Sequence, residues 1–153
     1  MKKLYIPAIL ACCIFAGLST ITQAEPVKAA PAVQADLIAV KEWKLTQIGD
    51  QVLGKKLAGV SILFAEEGKL SGSGGVNRFG GVYESKADGQ ISIKNIFATE
   101  MAALDEDIMN LETRYFQLLA KAKSAQMSDG NLVIECEDKD GKSIKLLFAP
   151  LMK

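Results

Sequence analysis

Apolar and polar residues alternate in short segments along most of the chain, a pattern typical of half-buried β-strands. Gln47 and Asn95 are expected to continue the inward faces of two of these segments. Pairs such as Asp88-Gly89 and Asp129-Gly130 separate the segments and favour hairpin turns. We therefore expect a meander of antiparallel strands. The predicted strands cover residues 41–48, 60–65, 69–73, 82–84, 90–97, 132–138 and 143–149.

Trp43, the only tryptophan of the chain, lies on the apolar face of the first predicted strand. A single tryptophan in this setting is typical of a core residue, because burial of its large ring removes much apolar area from water. The alternative is a surface on which a ligand stacks.

The spacing of apolar residues changes from two to three or four after residue 103, which predicts an amphipathic helix. Acidic residues at 105–107 fit its first turn, and Lys121 and Lys123 are expected in its last turn. The helix dipole favours negative charge at the first turn and positive charge at the last. A single helix among strands indicates an α+β fold. The residues expected on its buried side are Leu104, Ile108, Leu111, Tyr115, Leu118, Leu119 and Ala122.

The first 38 residues are expected to precede the folded domain, which we place at residues 39–153. Residues 1–24 combine a basic start, an apolar run and a small-x-small sequence, which is typical of a secretory signal peptide cleaved after Ala24. A lipid anchor at Cys12 is the competing interpretation, but the apolar residues that continue past it favour a signal core. Residues 25–38 predict a flexible lead-in. We expect a secreted or periplasmic protein without a stable transmembrane segment.

Charge and composition argue against several classes of function. Removal of residues 1–24 would leave 16 basic and 18 acidic residues, without the basic face that binding to nucleic acid needs. The chain has no histidine, so histidine-based hydrolysis is excluded and the commonest transition-metal ligand is missing. Cys136 lies on an apolar face, which predicts a protonated, inert thiol. We expect no catalytic residue, cofactor or metal site.

A glycine-rich stretch and two shorter motifs stand out. Residues 72–81 are Gly-Ser-Gly-Gly-Val-Asn-Arg-Phe-Gly-Gly, which predicts a tight connection between two strands. Trp43-Lys44-Leu45 precedes this stretch, and Ala98-Thr99-Glu100-Met101-Ala102 follows it. In order and spacing these motifs resemble the META domain (HslJ-like) family over about residues 40–149. The motif residues are Trp43, Gly75, Asn77, Arg78, Phe79, Gly80, Tyr83, Thr99 and Met101.

The resemblance implies a curved antiparallel sheet or incomplete β-barrel with one helix packed across it, and no established enzymatic activity. It favours structural roles for the motif, with Asn77 at positive φ, Arg78 bonded to turn carbonyls and Thr99 bonded to backbone groups before the helix. A binding role is the alternative. Family members carry cysteines where this chain has Val76 and Ala103. If those cysteines pair, Val76 and Ala103 are expected to be neighbours in apolar contact.

Two functions are consistent with these observations. The first is a non-enzymatic envelope protein that binds a protein partner, with a link to heat stress and antibiotic tolerance that the resemblance implies. The second is a carrier of a small apolar ligand or lipid, held between Tyr115 and Leu119 of the helix and the concave face of the sheet.

Overall fold

The computed structural model describes residues 37, 42–57 and 59–151 as a curved antiparallel sheet crossed by one helix. The predicted signal peptide with its cleavage after Ala24, the alternative lipid anchor at Cys12 and the lead-in up to residue 36 lie outside the described residues. Within the described residues, the predicted α+β class is confirmed. The elements are β1 (Trp43–Ile48), β2 (Gln51–Val52), β3 (Val60–Phe64), β4 (Lys69–Gly74), β5 (Arg78–Ser85), β6 (Ile91–Ala98), α1 (Glu106–Leu119), β7 (Ala122–Ser128), β8 (Asn131–Glu137) and β9 (Ser143–Pro150).

The strands form one sheet in the order β6-β5-β4-β3-β1-β9-β8-β7, with the short β2 beside β1. All neighbours run antiparallel. Hairpin connections join β3 through β6 and β7 through β9. A pairing inside the sheet, in contrast, joins β1 to β9, from opposite ends of the described chain.

The sheet curls until its two edge strands meet at one end. Gln90, just before β6, forms an isolated antiparallel bridge with Ser124 of β7. The backbone N–H of Ala125 also donates to the carbonyl of Gly89, at 2.8 Å. The rest of β6 has no strand on its outer side within the described part of the chain. The incomplete β-barrel that the resemblance implied is therefore confirmed.

Two irregularities in strand pairing make two face assignments wrong. The register of β1 against β9 shifts between Leu45 and Gln47, so Ile48 is buried and Gln47 is only partly buried. The register of β5 against β6 shifts near Asn95, which has a φ of 53° and is exposed. A bulge adds one residue to one strand, so the side chains beyond it change face.

The helix begins at the acidic residues 105–107, as the sequence predicted. The side chain of Asp105 caps α1 by accepting a hydrogen bond from the N–H of Asp107, at 3.0 Å. Leu104 was expected on the buried side of the helix, but it precedes the helix and is fully exposed.

The helix ends earlier than predicted. α1 stops at Leu119, and Lys121 lies in the turn that follows, so the last helical turn carries no basic residue. Ala122 and Lys123, which we expected in the helix, belong to β7, a strand that the sequence pattern did not predict. No helix in the described ranges is long and apolar enough to cross a membrane.

A continuous core fills the space between the sheet and α1. Trp43 and Tyr115 are its largest side chains, and neither has exposed surface. The Nε1–H group of Trp43 donates to the carbonyl of Leu37 at 3.2 Å, so the polar atom of the indole is satisfied inside the core. Other fully buried residues are Phe64, Phe148, Leu45, Ile48, Ile62, Leu119, Leu132, Ile134 and Leu146.

We expect Trp43→Ala to lower the free energy of unfolding by about 3–5 kcal/mol, because it removes a fully buried ring and leaves a cavity. Urea unfolding followed by circular dichroism measures the change. Trp43→Phe keeps most of the apolar area and should cost less. An unchanged urea midpoint in Trp43→Ala would contradict the core role of this ring.

Candidate functional site

The glycine-rich stretch is mostly strand rather than a long turn. Gly72 and Gly74 lie in β4 and Gly80 lies in β5, so the turn itself comprises only Gly75, Val76 and Asn77. Gly75 has a φ of 119°, a conformation that side chains with a Cβ rarely adopt.

The strand glycines allow aromatic rings to lie against the backbone. A Cβ added to Gly72 would lie 2.7 Å from the ring of Phe79, and one added to Gly80 would lie 2.6 Å from the ring of Phe97. A Cβ on Gly74 would contact the Glu112 carboxylate and the ring of Phe116. A Cβ on Gly72 would also meet the backbone carbonyl of Ser61. The stretch is therefore glycine-rich because neighbouring side chains and backbone fill the space that its own side chains would occupy.

A buried carboxylate from the helix holds the turn. One oxygen of Glu112 accepts hydrogen bonds from the backbone N–H of Asn77 at 2.7 Å and of Val76 at 3.3 Å. The other oxygen accepts from the side-chain Nδ2 of Asn77 at 2.6 Å. Glu112 and Asn77 are only 4% and 5% exposed, so water does not compete for these bonds.

Sequence reasoning missed Glu112, although its position carried a signal. Glu112 follows Ile108 by four residues and precedes Tyr115 by three, so it lies on the apolar face of the helix. An acidic residue at such a position requires buried hydrogen-bond donors. The backbone of the Gly75–Asn77 turn supplies them.

The side chain of Asn77 also fixes the segment after β6. Its Oδ1 accepts from the N–H of Met101 at 2.7 Å and from the hydroxyl of Thr99 at 2.8 Å. Its Nδ2 donates to the carbonyl of Met101 at 3.1 Å. The expectation of a positive φ at Asn77 is wrong, because the positive φ of this turn belongs to Gly75.

Arg78 and Thr99 pair through the backbone of Arg78. Its N–H donates to Thr99 Oγ1 at 3.2 Å, and its carbonyl accepts from the N–H of Thr99 at 3.0 Å. The guanidinium of Arg78 makes no hydrogen bond to the turn carbonyls among the described residues, contrary to our expectation, and Arg78 is exposed. The expected proximity of Val76 to Ala103 stays a prediction.

The remaining motif residues pack in the core. The rings of Tyr83 and Phe64 meet edge to face with centroids 4.9 Å apart, and the Tyr83 hydroxyl donates to the carbonyl of Ala65 at 3.1 Å. The ring of Phe79 packs against those of Tyr115 and Phe116, with centroids 5.8 and 5.2 Å away. These contacts position the strands around the turn.

Side chains occupy the space between α1 and the sheet where we considered a ligand. Tyr115 and Leu119 have no exposed surface, and the Tyr115 ring contacts Phe79, Phe116 and Phe148. Burial raises the pKa of the Tyr115 hydroxyl well above its ordinary value, and the neighbouring Cys136 adds to the shift. Among the described residues this hydroxyl has no hydrogen-bond partner.

Reactive groups are scarce in the described part of the chain. No cluster of histidine, cysteine, aspartate or glutamate there could hold a metal ion. Cys136 is buried, and burial raises the pKa of its thiol to about 12, with a smaller contribution from the Glu135 carboxylate. A thiol in this state is a poor nucleophile.

Large apolar side chains are exposed close to the Asn77 network. Phe97 is 70% exposed, Met101 55% exposed and Leu104 fully exposed. Phe97 lies near the end of the edge strand β6, and Met101 and Leu104 lie in the segment that joins β6 to α1. We call these three residues the edge surface.

Comparison with known proteins identifies a family and a fold. A family model described as the META domain matches residues 36–147. A protein of the DUF4847 family from Bacteroides vulgatus has a similar structure, with a TM-score of 0.54, 17% identity, and coverage of 74% of this chain and 94% of that one. A protein from Burkholderia xenovorans has a TM-score of 0.56, 21% identity, and coverage of 86% and 97%. No curated protein matches this chain.

We expect Glu112→Ala to lower the free energy of unfolding by about 2–4 kcal/mol, because it removes the acceptor of the backbone N–H groups of Val76 and Asn77 and of one N–H of the Asn77 side-chain amide. Glu112→Gln should cost about 1–3 kcal/mol, since an amide N–H₂ would then face a second donor. Chemical denaturation measures both. Glu100→Gln, at an exposed position, is the control and should change stability by less than about 0.5 kcal/mol. Equal losses of stability in Glu100→Gln and Glu112→Gln would contradict the role of Glu112 in holding the turn.

The Cys136 thiol should make stability fall at alkaline pH. Its pKa is about 12 in the folded chain against an ordinary value of 9.0, so its contribution is complete below pH 9 and is lost as the pH rises from 9 to 12. Between pH 8 and 10.5 the free energy of unfolding of the protein should fall by up to about 2 kcal/mol more than that of the Cys136→Val variant. Urea unfolding at each pH measures both. Tyr115 is present in both chains, and its burial, the main cause of its raised pKa, is the same in both. Parallel pH profiles would refute this prediction.

Proposed function

We propose that this chain, which belongs to the META domain family, is a non-enzymatic envelope protein that binds an extended segment of a protein partner along the open edge of its sheet. The edge surface of Phe97, Met101 and Leu104 is the observation that carries the proposal. Large apolar residues that are exposed within one short segment are typical of an interaction site.

Two residues of the edge surface are held in place before any partner binds. The Asn77 side chain bonds both the N–H and the carbonyl of Met101, which fixes the backbone and leaves the Met101 side chain exposed. The Phe97 ring lies against the backbone of Gly80. Preorganised apolar groups lose little conformational entropy on binding, which favours affinity.

The adjacent backbone suits an extended partner. Beyond Gln90, β6 pairs only with β5 among the described residues, so its outer N–H and carbonyl groups face away from the sheet. An extended peptide can add to such an edge through main-chain hydrogen bonds, while its side chains contact the exposed apolar residues. This geometry favours a partner that supplies a strand.

The polar groups around the Gly75–Asn77 turn favour binding over catalysis. Glu112, Asn77 and Thr99 bond to one another or to backbone groups inside the protein. They therefore serve to shape the edge. We also propose that the protein is exported by its signal peptide, with cleavage after Ala24, and contributes to stress or antibiotic tolerance in the envelope, as the family resemblance implies.

Site-specific photocrosslinking in the living host tests the interaction. A benzophenone amino acid in place of Phe97 should give a protein adduct. The same probe in place of Val52, which is 72% exposed in β2, is the matched control and should not. Adding Met101→Ser and Leu104→Ser should reduce the yield of the adduct at position 97 about tenfold, because the partner would no longer bury these two apolar side chains when it binds.

Mass spectrometry of the adduct identifies the partner segment that meets β6. Adducts of equal yield at positions 52 and 97, or an adduct at 97 that the two serine substitutions leave unchanged, would refute the proposal. An absence of adducts at 97 under both normal growth and heat stress would refute it as well.

A further inference from the structure

A cleft of about 670 Å³ lies between the C-terminal half of α1 and the hairpin that joins β8 to β9. This volume is in the range of roughly 300–1,000 Å³ that is typical of small-molecule sites. Its apolar lining includes Leu118, Ala120 and Ile144. The cleft shares no residue with the edge surface.

Backbone bonds fix the two walls of the cleft relative to each other. The carbonyl of Lys121, just after α1, accepts a hydrogen bond from the N–H of Glu137 at 3.1 Å. The Lys121 ammonium in turn donates to the carbonyl of Asp138 at 3.0 Å. The helix end and the hairpin are therefore joined, so the cleft exists without a ligand to hold it open.

The acidic side chains at the cleft already have partners. The Glu137 carboxylate pairs with Lys123 at 3.0 Å. The Asp138 carboxylate accepts from the N–H of Lys142 at 2.9 Å and of Asp140 at 2.8 Å. The first of these bonds is the main cause that lowers the pKa of Asp138, so this carboxylate stays ionised and bonded to its own hairpin.

The cations at the cleft are less fully compensated. Lys139 has no ion pair within the described part of the chain, and Lys121 bonds an uncharged carbonyl. The guanidinium of Arg114 bonds the uncharged side chain of Gln51 at 3.1 Å. Lys121 also lies close enough to the Asp138 carboxylate to help lower its pKa. Arg114 and Lys139 therefore border the apolar cleft without a carboxylate partner in the described part of the chain.

We propose that this cleft binds a single-chain amphipathic anion of the fatty-acid class. Its hydrocarbon chain lies on Leu118, Ala120 and Ile144, and its carboxylate meets the cations of Arg114 and Lys139. Apolar contact supplies most of the affinity, and the two cations select a negative head group. This binding is separate from the partner interaction at the edge surface.

The test is a titration of the isotope-labelled protein with dodecanoate, followed by amide chemical shifts, below the critical micelle concentration. We expect shifts on both walls, in residues 114–121 and 137–144. Arg114→Gln combined with Lys139→Gln should weaken dodecanoate about three- to tenfold. Lys69→Gln combined with Lys86→Gln removes the same charge at exposed positions outside the cleft and should leave the affinity unchanged.

Two other head groups separate charge selection from apolar contact. Dodecyl maltoside should bind the protein and the Arg114→Gln, Lys139→Gln variant equally, and dodecyltrimethylammonium should bind the protein more weakly than dodecanoate does. The proposal is overturned if dodecanoate causes no shifts or shifts other regions, if both double variants weaken it equally, or if the cationic probe binds as tightly. None of these outcomes bears on crosslinking at Phe97.

Discussion

The native arrangement of this domain depends on one buried carboxylate. Glu112 reaches from the helix to the turn between β4 and β5 and accepts three hydrogen bonds from Val76 and Asn77. Through Asn77 the same network extends to Thr99 and Met101 after β6. A helix, a turn and a sheet edge thus share one set of hydrogen bonds, and the low dielectric around them makes each bond costly to lose.

The glycine-rich stretch and the carboxylate are two parts of one design. Gly74 leaves room for Glu112, and Gly72 and Gly80 leave room for aromatic rings. The helix can therefore approach the sheet closely enough for a short carboxylate side chain to reach backbone N–H groups. At the sheet edge the Phe97 ring packs on Gly80 in the same way. The glycines that allow close packing in the fold therefore also position an exposed ring.

Alternation and turn signals predicted most strands and the helix, because these patterns depend on residues that are near one another in sequence. β7 escaped prediction because its inward residues, Ala122 and Ala125, are small and stand between polar neighbours. The bulges that displaced Gln47 and Asn95 arise from pairing with a second strand, which no single segment reveals. The motif located Asn77, but its partner Glu112 is 35 residues away and lies among residues that we judged only by their polarity.

The position of β1 between β3 and β9 has a consequence for the order in which the chain acquires its structure. The ladder between β1 and β9 pairs residues 43–48 with residues 146–150, so it cannot form until the chain has been made as far as residue 150. Contacts between distant parts of a chain also slow folding. During synthesis β1 therefore stays without its β9 neighbour until residues 146–150 have been added, and removal of these residues would take away a pairing inside the sheet rather than one at its edge.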